Sequence, residues 1–153
     1  MRFPPLLCLS VCCNRSDMSS HNELGKTGEL IAARHLIGLG YAILACDYRV
    51  GHRDIDIVAA KDGTTVFVEV KTRATDKFGN PDEAVTDVKM RNIVYAANKY
   101  IWQYNVRGPV RFDVISVVGT SEPYRIKHFL DAFNPYSLQY SHRSQSKSYT
   151  FKL

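Results

Sequence analysis

Residues 53–73 read Arg53-Asp54-Ile55-Asp56-Ile57-Val58-Ala59-Ala60, then Lys61-Asp62-Gly63, then Thr64-Thr65-Val66-Phe67-Val68-Glu69-Val70-Lys71-Thr72-Arg73. Two apolar runs flank Asp-Gly, the strongest short-range signal for a β-hairpin. The charges inside the runs are the unusual part. Side chains alternate faces along a strand, so Asp54 and Asp56 are expected on one face, and Glu69 and Lys71 on one face. Burying such charges among valines is costly unless they pair or hold a metal.

Outward from the hairpin, helical and strand periodicities alternate. Asn22 to Leu39 reads as a helix, with Leu30, Ala33 and Ile37 as its stripe, Ala32 and Leu36 beside them, and Gly40 placed to end it. Gly25 and Gly28 lie in its first turns, where glycine weakens a helix unless another backbone or a phosphate comes close. Glu29 follows, near the positive end of the helix dipole. Tyr41 to Val50 reads as a strand. After a loop over 73–81, a second helix runs from about Asp82 to Tyr104, with Thr86 as an alternative internal N-cap. Val110 to Val118 is a strand with Phe112 and Val114 on one face and Arg111, Asp113 and Ile115 on the other. Tyr124 to Phe129 is a short, polar strand expected at a sheet edge. The order is α-β-β-β-α-β-β, an α/β fold with a mixed sheet and helices on it, not a doubly wound alternation.

Length and composition bound the rest. A chain of 153 residues with 45% hydrophobic and 23% charged residues fits one globular domain. Its net charge of +5 comes mostly from the ends: Arg2 and Arg15 before Asp17, and Arg143, Lys147 and Lys152 with no acid after residue 133. Residues 1–17 are read as a disordered leader or a start-site artefact. Pro4-Pro5 breaks its apolar run, and Met18 opens an ordinary start. Residues 18–133 are the domain, and 134–153 a disordered basic tail. No stretch approaches a membrane span. Cys8, Cys12 and Cys13 crowd the leader while Cys46 stands alone in the body. That usage points away from a disulfide scaffold and toward a reducing cytoplasm, with Cys46 a small core residue.

Facing residues on paired strands lie about 5 Å apart, so Asp56 and Glu69 can converge on one cation. Oxygen-only ligands suit Mg²⁺ or Mn²⁺, which keep several waters and accept substrate phosphate oxygens. Lys71 on the same face as Glu69 can orient water or offset charge growing on phosphorus. The bland alternative is a half-buried sheet face carrying a Glu-Lys pair and two aspartates. Val66, Phe67, Val68 and Val70 argue against it, because they make the strand central.

Asp56 followed by Glu69-Val70-Lys71 resembles the D…(D/E)-x-K signature of the PD-(D/E)XK nuclease superfamily, whose restriction-endonuclease-like core runs αβββαβ. The resemblance is closer to the YraN-like family of small bacterial proteins, related to archaeal-type Holliday-junction resolvases. Its pieces are Gly25-x-x-Gly28-Glu29, Asp54-Ile55-Asp56, Phe67 to Arg73, Phe78-Gly79, Lys89 and Arg111-Phe112-Asp113, spread over residues 22–133. The resemblance implies that Asp56 and Glu69 ligate the metal, Lys71 is the catalytic lysine and Glu29 is an auxiliary acid. Arg73 and Lys89 would be phosphate contacts. It implies a Mg²⁺- or Mn²⁺-dependent endonuclease on DNA, branched or otherwise structured, and a homodimer. The alternative is a nucleic-acid-binding module that keeps the fold without catalysis; a third reading makes the tail, with Tyr136 and Tyr140, a protein-interaction site. Arg53-Asp54 stands where the family has Gly-Glu, and Ile55 where the superfamily has proline.

Overall fold

The computed structural model describes residues 20–75 and 85–135. The leader, Phe78-Gly79, Asp82, Glu83 and residues 136–153 of the tail lie outside the described residues.

The elements are α1 (Ser20–Gly38), β1 (Ala42–Val50), β2 (Arg53–Lys61), β3 (Thr64–Arg73), α2 (Asp87–Tyr104), β4 (Val110–Val118) and β5 (Arg125–Phe129). The strands form one mixed five-stranded sheet in the order β1-β2-β3-β4-β5. Only β3 and β4 run parallel, and α2 makes the crossover between them, as parallel neighbours require. The hairpin register closes at Lys61↔Thr64. Asp62 and Gly63 carry φ of 49° and 77°, the two positive angles of a type I′ turn. The sequence reading of the hairpin therefore holds to within a residue at each end, and β5 is an edge strand as expected.

Alternation along β3 splits the core into two. Val66 and Val68 pack with Ala32, Ala33 and Leu36 of α1 and with Ile57, Ile115 and Val117. Phe67 faces the other way, among Ile93, Ala96, Ala97 and Tyr100 of α2 and Phe112. Phe67 stacks on Phe112 at 5.5 Å and meets Tyr100 edge-on at 5.8 Å. One helix thus covers each face. Each fully buried large side chain contributes about 1.5–3 kcal/mol.

Several local expectations change. The buried line of α1 is Gly28, Ala32, Ala33 and Leu36, whereas Leu30 is only partly buried and Ile37 is 42% exposed. The helix lies lower on the sheet than the apolar residues imply because Gly28 has no Cβ: one built there would overlap Thr72 of β3. Gly40, at φ 84°, does end the helix, with Gly40 N–H donating to Ile37 O and Tyr41 N–H to Leu36 O, a Schellman pair. α2 begins at Thr86, whose hydroxyl accepts from Lys89 N–H at 3.3 Å, and not at Asp82. Cys46 is half-buried and packs against the α1-side core; the other cysteines lie outside the described residues. Strict alternation in β2 also fails. Ile55 joins the α2-side core while Ile57, two residues on, joins the α1-side core. Asp54 and Asp56 therefore do not share one regular strand face.

Candidate functional site

The break in β2 centres on Asp56. Ladder pairing with β3 stops at Ile57↔Val68, and the Asp56 carboxylate then accepts the Val70 N–H at 2.6 Å. Across β1, Asp47 falls opposite Asp56 between the pairs Cys46↔Ile57 and Tyr48↔Ile55, and it carries a left-handed φ of 50°. Both neighbours of this point are thus irregular, and the side chains at this end of the sheet leave the ordinary pleat.

Glu69 is the buried centre of the site, with its side chain only 4% exposed. It shares the α2-side face of β3 with Phe67, which is why it is dry. Lys71 Nζ lies 2.8 Å from its Oε1, and Lys89 Nζ lies 3.2 Å from its Oε2. Oε2 is buried and outside hydrogen-bonding geometry. Lys89 also meets Asp54 Oδ1 at 3.0 Å. A lysine in the first turn of a helix opposes the dipole. Lys89 is held there by carboxylates: burial disfavours its charge, but Glu69 and Asp54 outweigh burial and keep it above the ordinary lysine range.

Glu29 approaches from α1. Burial pushes its carboxyl up, and the negative charges of Asp47, Asp54 and Glu69 add to that. Asp56 is raised to about 8, first by burial, then by the charge of Glu69, with the Val70 N–H pulling the other way. Glu29, Asp47, Asp54, Asp56 and Glu69 gather around the cations Arg49, Lys71 and Lys89, and burial in that company favours the neutral form of Asp56.

Of the residues singled out in the sequence, the structure brings Glu29, Asp56, Glu69, Lys71 and Lys89 into one electrostatic cluster. Lys89 sits inside it, as a partner of carboxylates, rather than beside it. Arg73 stands two residues beyond Lys71 at the end of β3, where its backbone carbonyl accepts Gly119 N–H at 2.9 Å. Arg53 is turned to α2: its Nε meets Asn92 Oδ1 at 3.2 Å and its guanidinium lies 4.3 Å from the Tyr95 ring centroid. Asp47 and Arg49, joined at 2.7 Å, were missed. Their signal was present, a charged pair inside the apolar run of β1. Arg111-Phe112-Asp113 serves a different purpose. Asp113 is fully buried and takes both Arg111 nitrogens at 2.8 Å, His128 Nε2 at 2.9 Å and Asp131 N–H at 3.0 Å. Burial favours its protonation, but the bonds from His128 and Arg111 outweigh it and hold the carboxyl below its ordinary range. This ion cluster ties β4 to β5.

Among the described residues, no three or more His, Cys, Asp or Glu side chains are arranged to hold a metal ion between them. No helix among them is long and apolar enough to cross a membrane.

The profile of the uncharacterised protein family UPF0102 matches residues 28–117. A UPF0102 protein of Phocaeicola vulgatus is 44% identical over 118 residues, covering 77% of this chain and 98% of the relative. One from Bacteroides fragilis is 46% identical over 118 residues, with the same coverage. One from Porphyromonas gingivalis is 44% identical over 129 residues, covering 83% and 95%. The matched span runs from Gly28 through β4, so it contains Glu29, Asp56, Glu69, Lys71 and Lys89. The chain belongs to the uncharacterised protein family UPF0102.

Proposed function

We propose that this chain is a metal-dependent endonuclease of the PD-(D/E)XK type, with a restriction-endonuclease-like core, hydrolysing DNA phosphodiesters in branched or otherwise structured DNA. The single observation that carries the reading is the buried Glu69, 2.8 Å from Lys71 Nζ, at the point where Asp56 of the neighbouring strand leaves the ladder to accept the Val70 N–H. The donor set fits Mg²⁺ or Mn²⁺. Both ligand groups are hard oxygens, and two carboxylates leave room for water and substrate oxygens. Glu69 Oε2 is buried outside hydrogen-bonding geometry, with Lys89 Nζ 3.2 Å away.

Asp56 and Glu69 would hold the cation, which when bound supplies Lewis acidity toward a phosphate oxygen and acidifies water. The protein's own side chains do the rest. Lys71, 30% exposed, reaches from Glu69 toward solvent and can donate to a phosphate oxygen as water attacks phosphorus and the bond to the leaving oxygen breaks. Lys89 bridges Glu69 and Asp54 and fixes them in place. Glu29, whose carboxyl is raised by burial and by the neighbouring acids, stands on α1 as a group that can take part in proton transfer.

The test is cleavage of single-stranded, duplex, flap and four-way-junction DNA with Mg²⁺ or Mn²⁺, by wild type and by Lys71→Ala. Wild-type cleavage lost in the variant is the expected result. Equal activity in both, or none on any substrate, overturns the reading.

One observation favours a second reading, a nucleic-acid-binding module without catalysis. Both Glu69 oxygens already have a lysine within 3.2 Å. Salt-dependent DNA binding that survives Glu69→Ala, with no cleavage by wild type, supports it.

A further inference from the structure

The outward face of α2 is unlike the rest of the surface. Helical spacing places Val88, Tyr95 and Trp102 in one line, seven residues apart, opposite the buried Ile93, Ala96, Ala97 and Tyr100. Trp102 is the only tryptophan of the chain and is 84% exposed; Val88 is 62% exposed. An exposed indole leaves about 150–250 Å² of aromatic surface in water, which a folded chain ordinarily covers. Cations flank this line. Arg53 lies 4.3 Å and Lys99 5.6 Å from the Tyr95 ring centroid, so Tyr95 acts as a post holding two positive charges on this face. Arg91, one turn before Tyr95, adds a third, half-buried cation beside this line. The only acid within α2 is Asp87, in its first turn.

We infer that this face of α2 binds an unpaired nucleic-acid strand, with a base stacked on Trp102 and its phosphates met by Arg53, Arg91 and Lys99. The inference rests on the reading of the chain as a DNA-processing protein and extends it. An aromatic platform beside cations is the equipment for single-strand binding, because every base offers a π-face while a duplex hides them. The charge argues against a second copy of the chain on this face, since a two-fold contact would set the two cation clusters against each other. The line also leads somewhere. Lys89, beside Glu69, lies on the same helix, about 20 Å along its axis from Trp102 at 1.5 Å per residue. Lys89 itself faces the sheet, about 140° around the helix from Trp102, so a strand on the outward face reaches the end of α2 that carries the cluster and not the cluster itself.

Trp102 supplies its own readout. Oligothymidylate is titrated in EDTA, so binding is measured without cleavage. We expect saturable quenching of the Trp102 fluorescence, and none with a blunt duplex of equal length. By anisotropy of a labelled oligothymidylate, Trp102→Ala weakens binding about tenfold and Trp102→Phe restores most of it, in keeping with the worth of one stacked base. Lys99→Ala with Arg91→Ala lowers the slope of affinity against salt. The exposed position of Trp102 keeps the fold out of the comparison. Unchanged affinity in Trp102→Ala, or duplex bound as tightly as single strand, overturns the inference. So does a dimer that Trp102→Ala converts to monomer, because the face is then covered by a second copy. Trp102-dependent binding in a protein that cleaves nothing removes the nuclease reading and leaves this one standing.

Discussion

Asp56 replaces a strand carbonyl at Val70: its Oδ2 accepts the Val70 N–H at 2.6 Å where the β2–β3 ladder has stopped. A side chain thus satisfies a backbone donor at the centre of the sheet, and the sheet opens there without leaving that donor unpaired. The same bond draws a carboxylate within electrostatic reach of Glu69.

This placement predicts a pH-dependent stability. Asp56 titrates near 8 in the folded chain and near 3.8 as a free group. Between those values the folded state binds more protons than the unfolded state, so stability falls as pH rises through that window. Metal-free protein should melt at lower temperature at pH 8 than at pH 5.5, and Asp56→Asn should flatten the fall while abolishing cleavage. Thermal melts across that range in EDTA check it. A wild-type profile that rises toward pH 8 with no difference in the variant contradicts the placement.

Lys71→Ala should remove the chemistry at a moderate cost to the fold. Its side chain is 30% exposed but its partner Glu69 is buried, so its loss costs about 1–3 kcal/mol, discounted for that exposure. The rate of Mg²⁺-dependent cleavage should drop by about 10²–10³, as for removal of one group that stabilises developing charge. Urea unfolding and single-turnover cleavage of the same preparation separate the two effects.

Lys89 should matter to the fold in the same way, through a second carboxylate as well. It bridges the buried Glu69 and Asp54, so Lys89→Ala leaves a dry carboxylate with one cation fewer. A loss of about 1–3 kcal/mol is expected, discounted for its partial exposure. Glu69→Gln in the same chain should recover much of it. A double-mutant cycle by urea denaturation measures the coupling, and additive losses would show that the two side chains do not interact.

Gly25 and Gly28 of α1 should respond with opposite signs. Gly28→Ala drives a Cβ into Thr72 and should cost about 1–3 kcal/mol, largely relieved by Thr72→Ala. Gly25 has nothing within 4 Å of a built Cβ, so Gly25→Ala should stabilise by about 0.5–1 kcal/mol. The melting temperatures of the three variants test this.

Asp113→Ala should be the most damaging of the substitutions considered. It strips partners from Arg111, His128 and the Asp131 N–H inside the sheet, at a cost of about 3–5 kcal/mol. Loss of far-UV ellipticity at 37 °C, or a large drop in urea midpoint, is the measurement. A change within 1 kcal/mol would mean that the cluster is solvated.

How legible the molecule was depends on range. The hairpin could be read because its information is local. Asp62-Gly63 accepts the two positive φ angles that a two-residue turn needs, and the apolar runs on each side carry the period of a strand. The Thr86 cap, the Gly40 stop and the edge strand β5 were legible for the same reason. The stripe of α1 was misjudged because hydrophobicity favours Leu30 and Ile37, whereas helix–sheet approach selects the residue without a side chain, Gly28.

By itself, then, the sequence determined the elements, their order, and the identity of Asp56, Glu69 and Lys71 as charges in apolar strands. Those follow from turn chemistry and periodicity, which act over a few residues. Only the tertiary structure decided that Glu29 of α1, Asp47 of β1 and Lys89 of α2 join them, that Asp56 leaves the regular pleat, and that Arg53 turns to Tyr95. The reason is physical. The charge state and orientation of each of these groups are set by neighbours distant in sequence, through burial and Coulomb forces that exist only once the helices have closed on the sheet.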